Sequence, residues 1–327
     1  MPHLELIDVR KKYKEFELNL SFSANKGELL SIIGPSGSGK STILSILAGI
    51  EKPDEGRIIL DGEDITNAEI QKRSIGLVFQ DYALFSSMSV EKNIQYGMAE
   101  KSKSAKRETT KQLLHLVGLD GYEKRSVNRL SGGEAQRVAL LRAIAAKPKV
   151  LLLDEPLSAL DAPLRKKLRS IIRQVQEMLG ITMIYVTHDR EEAFAISDRI
   201  LIIDKGKSLE IGTAEELYSK PQCLKTAFFT GEGTALPASL IYENKSGHIF
   251  FRPENVVISE DAIDPSFYSS HIVLNNVSVI SCEFNGAMYT LGLEFQNNAI
   301  IASSILKPRK RIISLMILES SIRFIDR

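Results

Sequence analysis

Apolar and polar positions follow two different rhythms along this chain. Leu4, Leu6 and Val9 fall near period two. Phe16, Leu18 and Leu20 keep that period more cleanly, with Phe22 next. This is the pattern of strands with one buried face. Residues 29–33 form a short apolar run that stops at Gly34, and residues 150–153, 181–186 and 200–203 form three more. Runs of Leu, Ile and Val separated by helical stretches predict parallel strands covered on both faces. Residues 41–49 read as a helix directly after a glycine-rich loop, and residues 88–147 are helix-rich. The character changes around residues 231–237. Beyond them, residues 247–258, 271–280, 288–295 and 312–317 alternate in short segments parted by Asn, Ser and Gly. That predicts an all-β region, a small barrel. The chain therefore reads as an α/β domain over residues 1–230 and a β domain over residues 238–327, without internal repeats or low-complexity tracts.

A length of 327 residues fits about two domains. Hydrophobic residues make up 43% and charged residues 25%, enough apolar material for a core in a soluble globular protein. The net charge of +1 sets up no global field for nucleic acid or an anionic membrane. The basic stretch at residues 101–112 has no interleaved aromatics and reads as a solvated helix face, so no nucleic-acid partner is expected. Cys223 and Cys282 are isolated, with neither a CxxC pair nor metal-ligand spacing, which favours a reducing compartment. Residues 1–13 lack the apolar core of a signal peptide. No run reaches the ~20 apolar residues of a membrane span. Any service to a membrane is expected to go through a partner.

The sharpest chemistry lies in Gly34-Pro35-Ser36-Gly37-Ser38-Gly39-Lys40-Ser41, with Thr42 next in the helix. It fits G-x-x-x-x-G-K-[ST] and sits between an apolar strand and a helix, the context that motif needs. Glycines let backbone N–H groups converge on phosphate oxygens, and the helix start adds its positive end. Lys40 is expected to place a charge between the β- and γ-phosphates, and Ser41 to offer a hydroxyl to Mg²⁺. The apolar run 150–153 then ends in Asp154-Glu155. Open α/β sheets bind ligands at the carboxyl ends of their strands. Asp154 is the candidate Mg²⁺ ligand, and Glu155 the group that orients or deprotonates the attacking water. Such an acidic strand end is weak by itself and gains meaning from the phosphate loop upstream.

Leu130-Ser131-Gly132-Gly133-Glu134-Ala135-Gln136-Arg137 resembles the LSGGQ signature of ABC ATPases, with Glu134 where Gln is commonest. Ser131 and the Gly132 and Gly133 amides open a helix and present donors. The phosphate loop of the same chain already serves its own nucleotide, so a second anion-binding helix start implies a second molecule. The resemblance implies an α/β P-loop NTPase fold, with a RecA-like core, a helical subdomain over about residues 83–147 and a C-terminal OB/TOBE-like β domain. It implies a homodimer in which the signature of one subunit closes over the γ-phosphate held by the other, with ATP and Mg²⁺ bound. On the same resemblance, Tyr13 is the aromatic that stacks on adenine. Gln80 is the Gln-loop residue that reaches Mg²⁺ and water. Ser158-Ala159-Leu160-Asp161 is the D-loop, and His188 is the switch histidine.

Two further segments resemble those of importers. Met88-Ser89-Val90-Glu91-Lys92-Asn93-Ile94 is similar to the segment after the Gln loop in importer ATPases. Phe251-Arg252-Pro253-Glu254 resembles the RPE motif in the β domain of importers for ferric ion, polyamine, sulfate, molybdate or sugars, and residues 231–237 look closest to the ferric-ion type. The expectation is an ATPase on the cytoplasmic face of the inner membrane, driving a separate permease and, indirectly, served by a solute-binding protein. An exporter usually carries a fused membrane span. A soluble ABC protein of DNA repair or translation usually carries two cassettes and basic surfaces. A non-catalytic module is expected to have lost Lys40 or Glu155, and both are present.

Overall fold

The computed structural model describes residues 2–100, 102–158, 160–267 and 270–325. The chain divides into two compact units, Met1–Ala214 and Glu215–Arg327.

The first unit is built on a ten-stranded sheet. Its strands are β1 (Leu4–Lys12), β2 (Glu17–Ala24), β3 (Leu29–Ile33), β4 (Glu55–Leu60), β5 (Glu63–Asp64), β6 (Ile75–Val78), β7 (Val150–Asp154), β8 (Thr182–Thr187), β9 (Arg199–Asp204) and β10 (Lys207–Gly212). Their order is β5-β4-β1-β2-β10-β9-β3-β8-β7-β6. Strands β9, β3, β8, β7 and β6 run parallel. Every residue of β3 and β8 is buried, as expected of mostly apolar central strands covered on both faces. β1, β2 and β4 pair antiparallel and alternate buried with exposed positions.

The helices are α1 (Lys40–Ala48), α2 (Val90–Gln95), α3 (Lys103–Leu116), α4 (Gly132–Ala145), α5 (Ala162–Leu179) and α6 (Arg190–Ile196). α2, α3 and α4 make up the helical subdomain. Their apolar sides share a core with β7, β8 and α5 through Val90, Ile94, Leu114, Leu141, Leu153 and Leu168. α1 packs in the other core, where Ile43, Leu44 and Leu47 meet Ile32, Leu152 and Ile184. The last turn of α1 ends on Gly49 in the left-handed region, and a Cβ there would come within 2.6 Å of Arg73 Nε. Arg73 is almost wholly buried. Its guanidinium donates to the carbonyls of Ile46 (2.7 Å), Leu47 (3.0 Å), Thr66 (2.7 Å) and Ala68 (3.0 Å). A cation at the carbonyl end of a helix also complements its dipole.

The second unit holds α7 (Ala214–Ser219), whose first residue precedes the division, and α8 (Leu224–Thr230). Its strands are β11 (Thr234–Pro237), β12 (His248–Phe251), β13 (Val256–Ser259), β14 (His271–Phe284), β15 (Tyr289–Phe295), β16 (Asn298–Ser304), β17 (Ile312–Leu318) and β18 (Arg323–Ile325). An antiparallel sheet β13-β17-β14-β15-β16 and a smaller sheet β11-β12-β18 share one apolar core through Leu236, Ile249, Phe251, Leu274, Leu291 and Leu315. The edge strands β13 and β16 approach each other, which closes the larger sheet toward an OB-like barrel. The alternating segment over residues 247–258 is two strands in different sheets. Pro253 has no N–H to give a ladder, and a short 3₁₀ turn, Pro253–Asn255, separates them. The division between units also falls earlier than the change of composition near Gly231. Arg252 explains why residues 215–230 belong with the β strands. It is buried and donates to the carbonyls of Tyr218 (2.8 Å), Ala227 (2.9 Å) and Glu232 (3.0 Å) and to Thr230 Oγ1 (2.9 Å).

Candidate functional site

The strand order explains how distant residues meet. β3, β8, β7 and β6 are parallel neighbours, so the loops at their carboxyl ends open on the same side. β3 leads into residues 34–41, β7 into Asp154 and Glu155, β8 into His188 and β6 into Gln80. A cleft of about 550 Å³ lies there, lined by Phe16, Ser36, Gly37, Gly39, Lys40, Ser41, Thr42, Glu155 and His188.

The glycines have steric reasons. Gly37 and Gly39 have φ of 75° and 104°, a region L side chains rarely enter. At Gly34 a Cβ would lie 2.2 Å from the carbonyl oxygen of Ile203. Gly39 also precedes α1 without any side-chain cap, so the first N–H groups of that helix face the cleft unclaimed. Ser38 Oγ is buried without a hydrogen-bond partner. Lys40 folds back and donates to the carbonyls of Gly34 (2.8 Å) and Pro35 (3.0 Å). Burial lowers its pKa, and the charges of Glu155 and Asp154 pull it back up.

The acidic pair is unequal. Asp154 ends β7, and burial together with the Glu155 charge raises its pKa, opposed by a hydrogen bond from Ser41 and the charge of Lys40. Glu155 sits at φ 42°, strained for a non-glycine residue by on the order of 1–3 kcal/mol. Its N–H donates to the carbonyl of Val186 (3.0 Å), and its Oε2 lies 3.1 Å from His188 Nδ1. No group of three or more His, Cys, Asp or Glu side chains that could hold a metal exists among the described residues. A divalent cation here would lean on Asp154 and Ser41, with phosphate and water oxygens completing its shell. The chemistry fits, because an anionic, buried Asp154 gains from a cation beside it.

The other expected site residues lie outside the lining of the cleft. Tyr13 is partly exposed and its hydroxyl donates to Glu51, while its ring stands 6.1 Å from that of Phe16. Phe16 is the aromatic that lines the cleft, and sequence reasoning missed it because it fell into the alternation of β2. Gln80 is exposed and donates from Nε2 to Ser158 Oγ (3.3 Å), which itself donates to the Glu155 carbonyl (3.0 Å). Leu160 is buried, and Asp161 caps α5 by accepting from the Leu164 N–H (2.9 Å). Ala159 lies outside the described residues.

Leu130 packs against the helical-subdomain core. Ser131 caps α4 in a capping box. Its Oγ accepts from the Glu134 N–H (3.4 Å), and its N–H donates to Glu134 Oε2 (2.8 Å). The Tyr122 hydroxyl donates to Glu134 Oε1 (2.7 Å) and Arg125 stands 3.7 Å away, and these contacts keep the Glu134 pKa low. A Cβ at Gly133 would meet Leu164 Cδ2 at 2.9 Å, so small residues here let α4 and α5 approach.

The ABC transporter family model matches residues 18–158. The chain is 41% identical over 311 residues to the Fe(3+) ions import ATP-binding protein FbpC of Photorhabdus laumondii, covering 91% of this chain and 89% of that one. It is 46% identical over 257 residues to the spermidine/putrescine import ATP-binding protein PotA of Bacillus cereus, covering 77% of each. Among solved structures, the dimer of the ATP-binding cassette MJ0796 bound to ADP and Pi superposes with a TM-score of 0.57 at 30% identity, covering 64% of this chain and 98% of that one. Proteins of this kind are ATPases coupled to transport that work with membrane permeases, and among the described residues no helix is long and apolar enough to cross a membrane. Similarity of this extent, reaching far beyond the ATP-binding cassette, makes the chain a member of the ABC transporter family, an ATP-binding protein of the importer type.

Proposed function

We propose that two copies of this chain close head to tail around two ATP molecules and so drive ferric-ion uptake through a separate permease. One observation carries the dimer. The cleft gathers Lys40, Ser41, Glu155 and His188 but none of residues 130–134. The two helix starts that could grip one γ-phosphate belong, in this reading, to different subunits. Residues 34–42 cradle the phosphates, and the Leu130-Ser131-Gly132-Gly133-Glu134 segment of the second copy closes over them. Phe16, with Tyr13 beside it, offers the aromatic surface for the base. Ser41 and Asp154, joined by Gln80 on closure, would hold Mg²⁺, which would neutralise phosphate charge when bound. Glu155 orients the attacking water and takes its proton, and His188 holds Glu155 in place from 3.1 Å. Lys40 and Ser131 stabilise charge on the phosphoryl oxygens. Loss of the γ-phosphate removes the contact that favours the closed state.

Ferric ion as the cargo is supported by Fe(3+) import relatives that match over 91% of the chain. Polyamine is the second reading, favoured by the identity to the spermidine/putrescine protein. In either reading the subunit works at the cytoplasmic face of the inner membrane, with a solute-binding protein acting through the permease. Glu155→Gln tests the site: it should bind ATP as the native protein does, lose about 10²–10⁴-fold in turnover and accumulate as a dimer in light scattering. Native turnover in that variant removes Glu155 from its role.

A further inference from the structure

Three segments around the cleft meet on one cation that does not line it. Arg165, early in α5, donates from Nη2 to the carbonyl of Leu160 (3.0 Å) and from Nη1 to Asp189 Oδ2 (2.9 Å). Its Nε stands 3.5 Å from Glu192 Oε1. A guanidinium is a rigid planar fork, so it fixes its partners relative to each other in a way a lysine cannot.

The far end of this fork is itself firmly held. Asp189 Oδ1 accepts from the Glu192 N–H (3.1 Å), and the Asp189 N–H donates to Thr187 Oγ1 (3.0 Å). The buried Glu192 carboxylate accepts from the hydroxyls of Tyr185 (2.9 Å) and Thr187 (2.9 Å). Asp189 directly follows His188, whose ring stands against Glu155. The near end is the turn before α5, which is tied to Glu155 a second time through Ser158 Oγ. A shift of the Leu160 carbonyl by about 1 Å must therefore either break the 3.0 Å bond or carry Arg165, and with it Asp189 and the His188 loop.

We propose that Arg165 is a positioning residue that couples the Leu160 and Ser158 contacts ahead of α5 to the His188–Glu155 pair. Closure of a second subunit against the turn before α5 sets the catalytic pair through it. The proposal rests on the reading that two copies share each ATP.

The test compares steady-state hydrolysis and equilibrium ATP binding of the full chain with those of Arg165→Met, Arg165→Lys, Asp189→Asn, the Arg165→Met/Asp189→Asn double variant and Glu155→Gln. Arg165→Met should keep its ATP dissociation constant within about twofold, yet lose about 10- to 100-fold in kcat and lose positive cooperativity in ATP. Arg165→Lys should recover part of the rate. The double variant should be no slower than the slower single, because one link is cut twice. Native kcat with intact cooperativity in Arg165→Met overturns the proposal, and so does a double variant that multiplies the two losses. A parallel fall of melting temperature, affinity and rate in both Arg165 variants makes the residue a packing element and also overturns it. Should Arg165→Met fail to fold, the near-isosteric Asp189→Asn carries the same readouts. Glu155→Gln separates the two levels: if it turns over normally the shared-site reading falls, whereas if it is dead and Arg165→Met is native only the coupling falls.

Discussion

Helices α1 and α4 both start at glycines, α1 behind Gly39 and α4 with Gly132 and Gly133 as its first residues, and they meet their first N–H groups in opposite ways. α1 begins at Gly39 with no side-chain cap and no acid in its first turn. α4 begins at Ser131 with a complete capping box and Glu134 in its first turn. The start of α1 presents uncapped N–H groups beside the Lys40 ammonium. The start of α4 has its own carboxylate, fastened by Tyr122 and Ser131. In the proposed reading, the difference marks α1 as the helix that holds phosphate in a single chain. α4 is stable without an anion and, in the proposed dimer, offers only Ser131 and the N–H groups of Gly132 and Gly133 to a phosphate brought by a second copy.

Lys40→Ala strikes that contrast hardest. The ammonium is the positive charge beside the start of α1, so ATP affinity should fall about ten- to a hundredfold, the worth of about 1.5–3 kcal/mol for hydrogen bonds to a charged group. Calorimetric titration measures it, and an unchanged dissociation constant would mean that phosphate is held elsewhere. Phe16→Ala comes next. Loss of base stacking on its ring, worth about 1–3 kcal/mol, should weaken ATP by roughly tenfold, with Tyr13→Ala doing less in the same fluorescence titration. The reverse ranking would hand the base to Tyr13.

Asp154→Asn sharpens the contrast through pH. The folded pKa of Asp154 is raised, chiefly by burial. Its contribution to stability is therefore fully present below the unfolded carboxylate pKa and is lost as pH rises through the folded value. The nucleotide-free Asn variant should melt higher than the native chain at neutral pH, and the gap should close as pH falls into the carboxylate range. A gap that widens on acidification would contradict the sign. The smallest effect belongs to Glu134→Gln. Glutamine still completes a capping box, so only the charge at the start of α4 is lost. Urea unfolding should show a loss of about 0.3–1 kcal/mol, while turnover should rise about twofold as one negative charge leaves the γ-phosphate side.

The phosphate loop and the acidic strand end were legible because their chemistry is local. Residues 34–42 act through consecutive backbone groups, and Asp154 and Glu155 through their place at the end of an apolar run. The signature was legible as a pattern, but what Glu134 does there was not, since Tyr122 and Arg125 reach it from another turn. Phe16 was hidden inside an alternation that a core residue would satisfy equally well. Arg73 and Arg165 carried no signal in the sequence, and Arg252 stood out only as part of the RPE-like motif, not by its contacts. Their partners are mostly carbonyl groups, which no side-chain pattern advertises.

The linear order of residues thus determined the nucleotide chemistry, the two kinds of domain and the helix that follows the phosphate loop. Each of these depends on spacing within a few residues, where the backbone itself sets the geometry. Tertiary structure alone decided that β3, β7 and β8 lie side by side, that Glu155 adopts a left-handed backbone against His188, and that three arginines, the buried Arg73 and Arg252 and the half-buried Arg165, tie distant turns together. Those outcomes depend on which segments become neighbours. Contacts between residues far apart in sequence carry that information, and it exists only once the chain has folded.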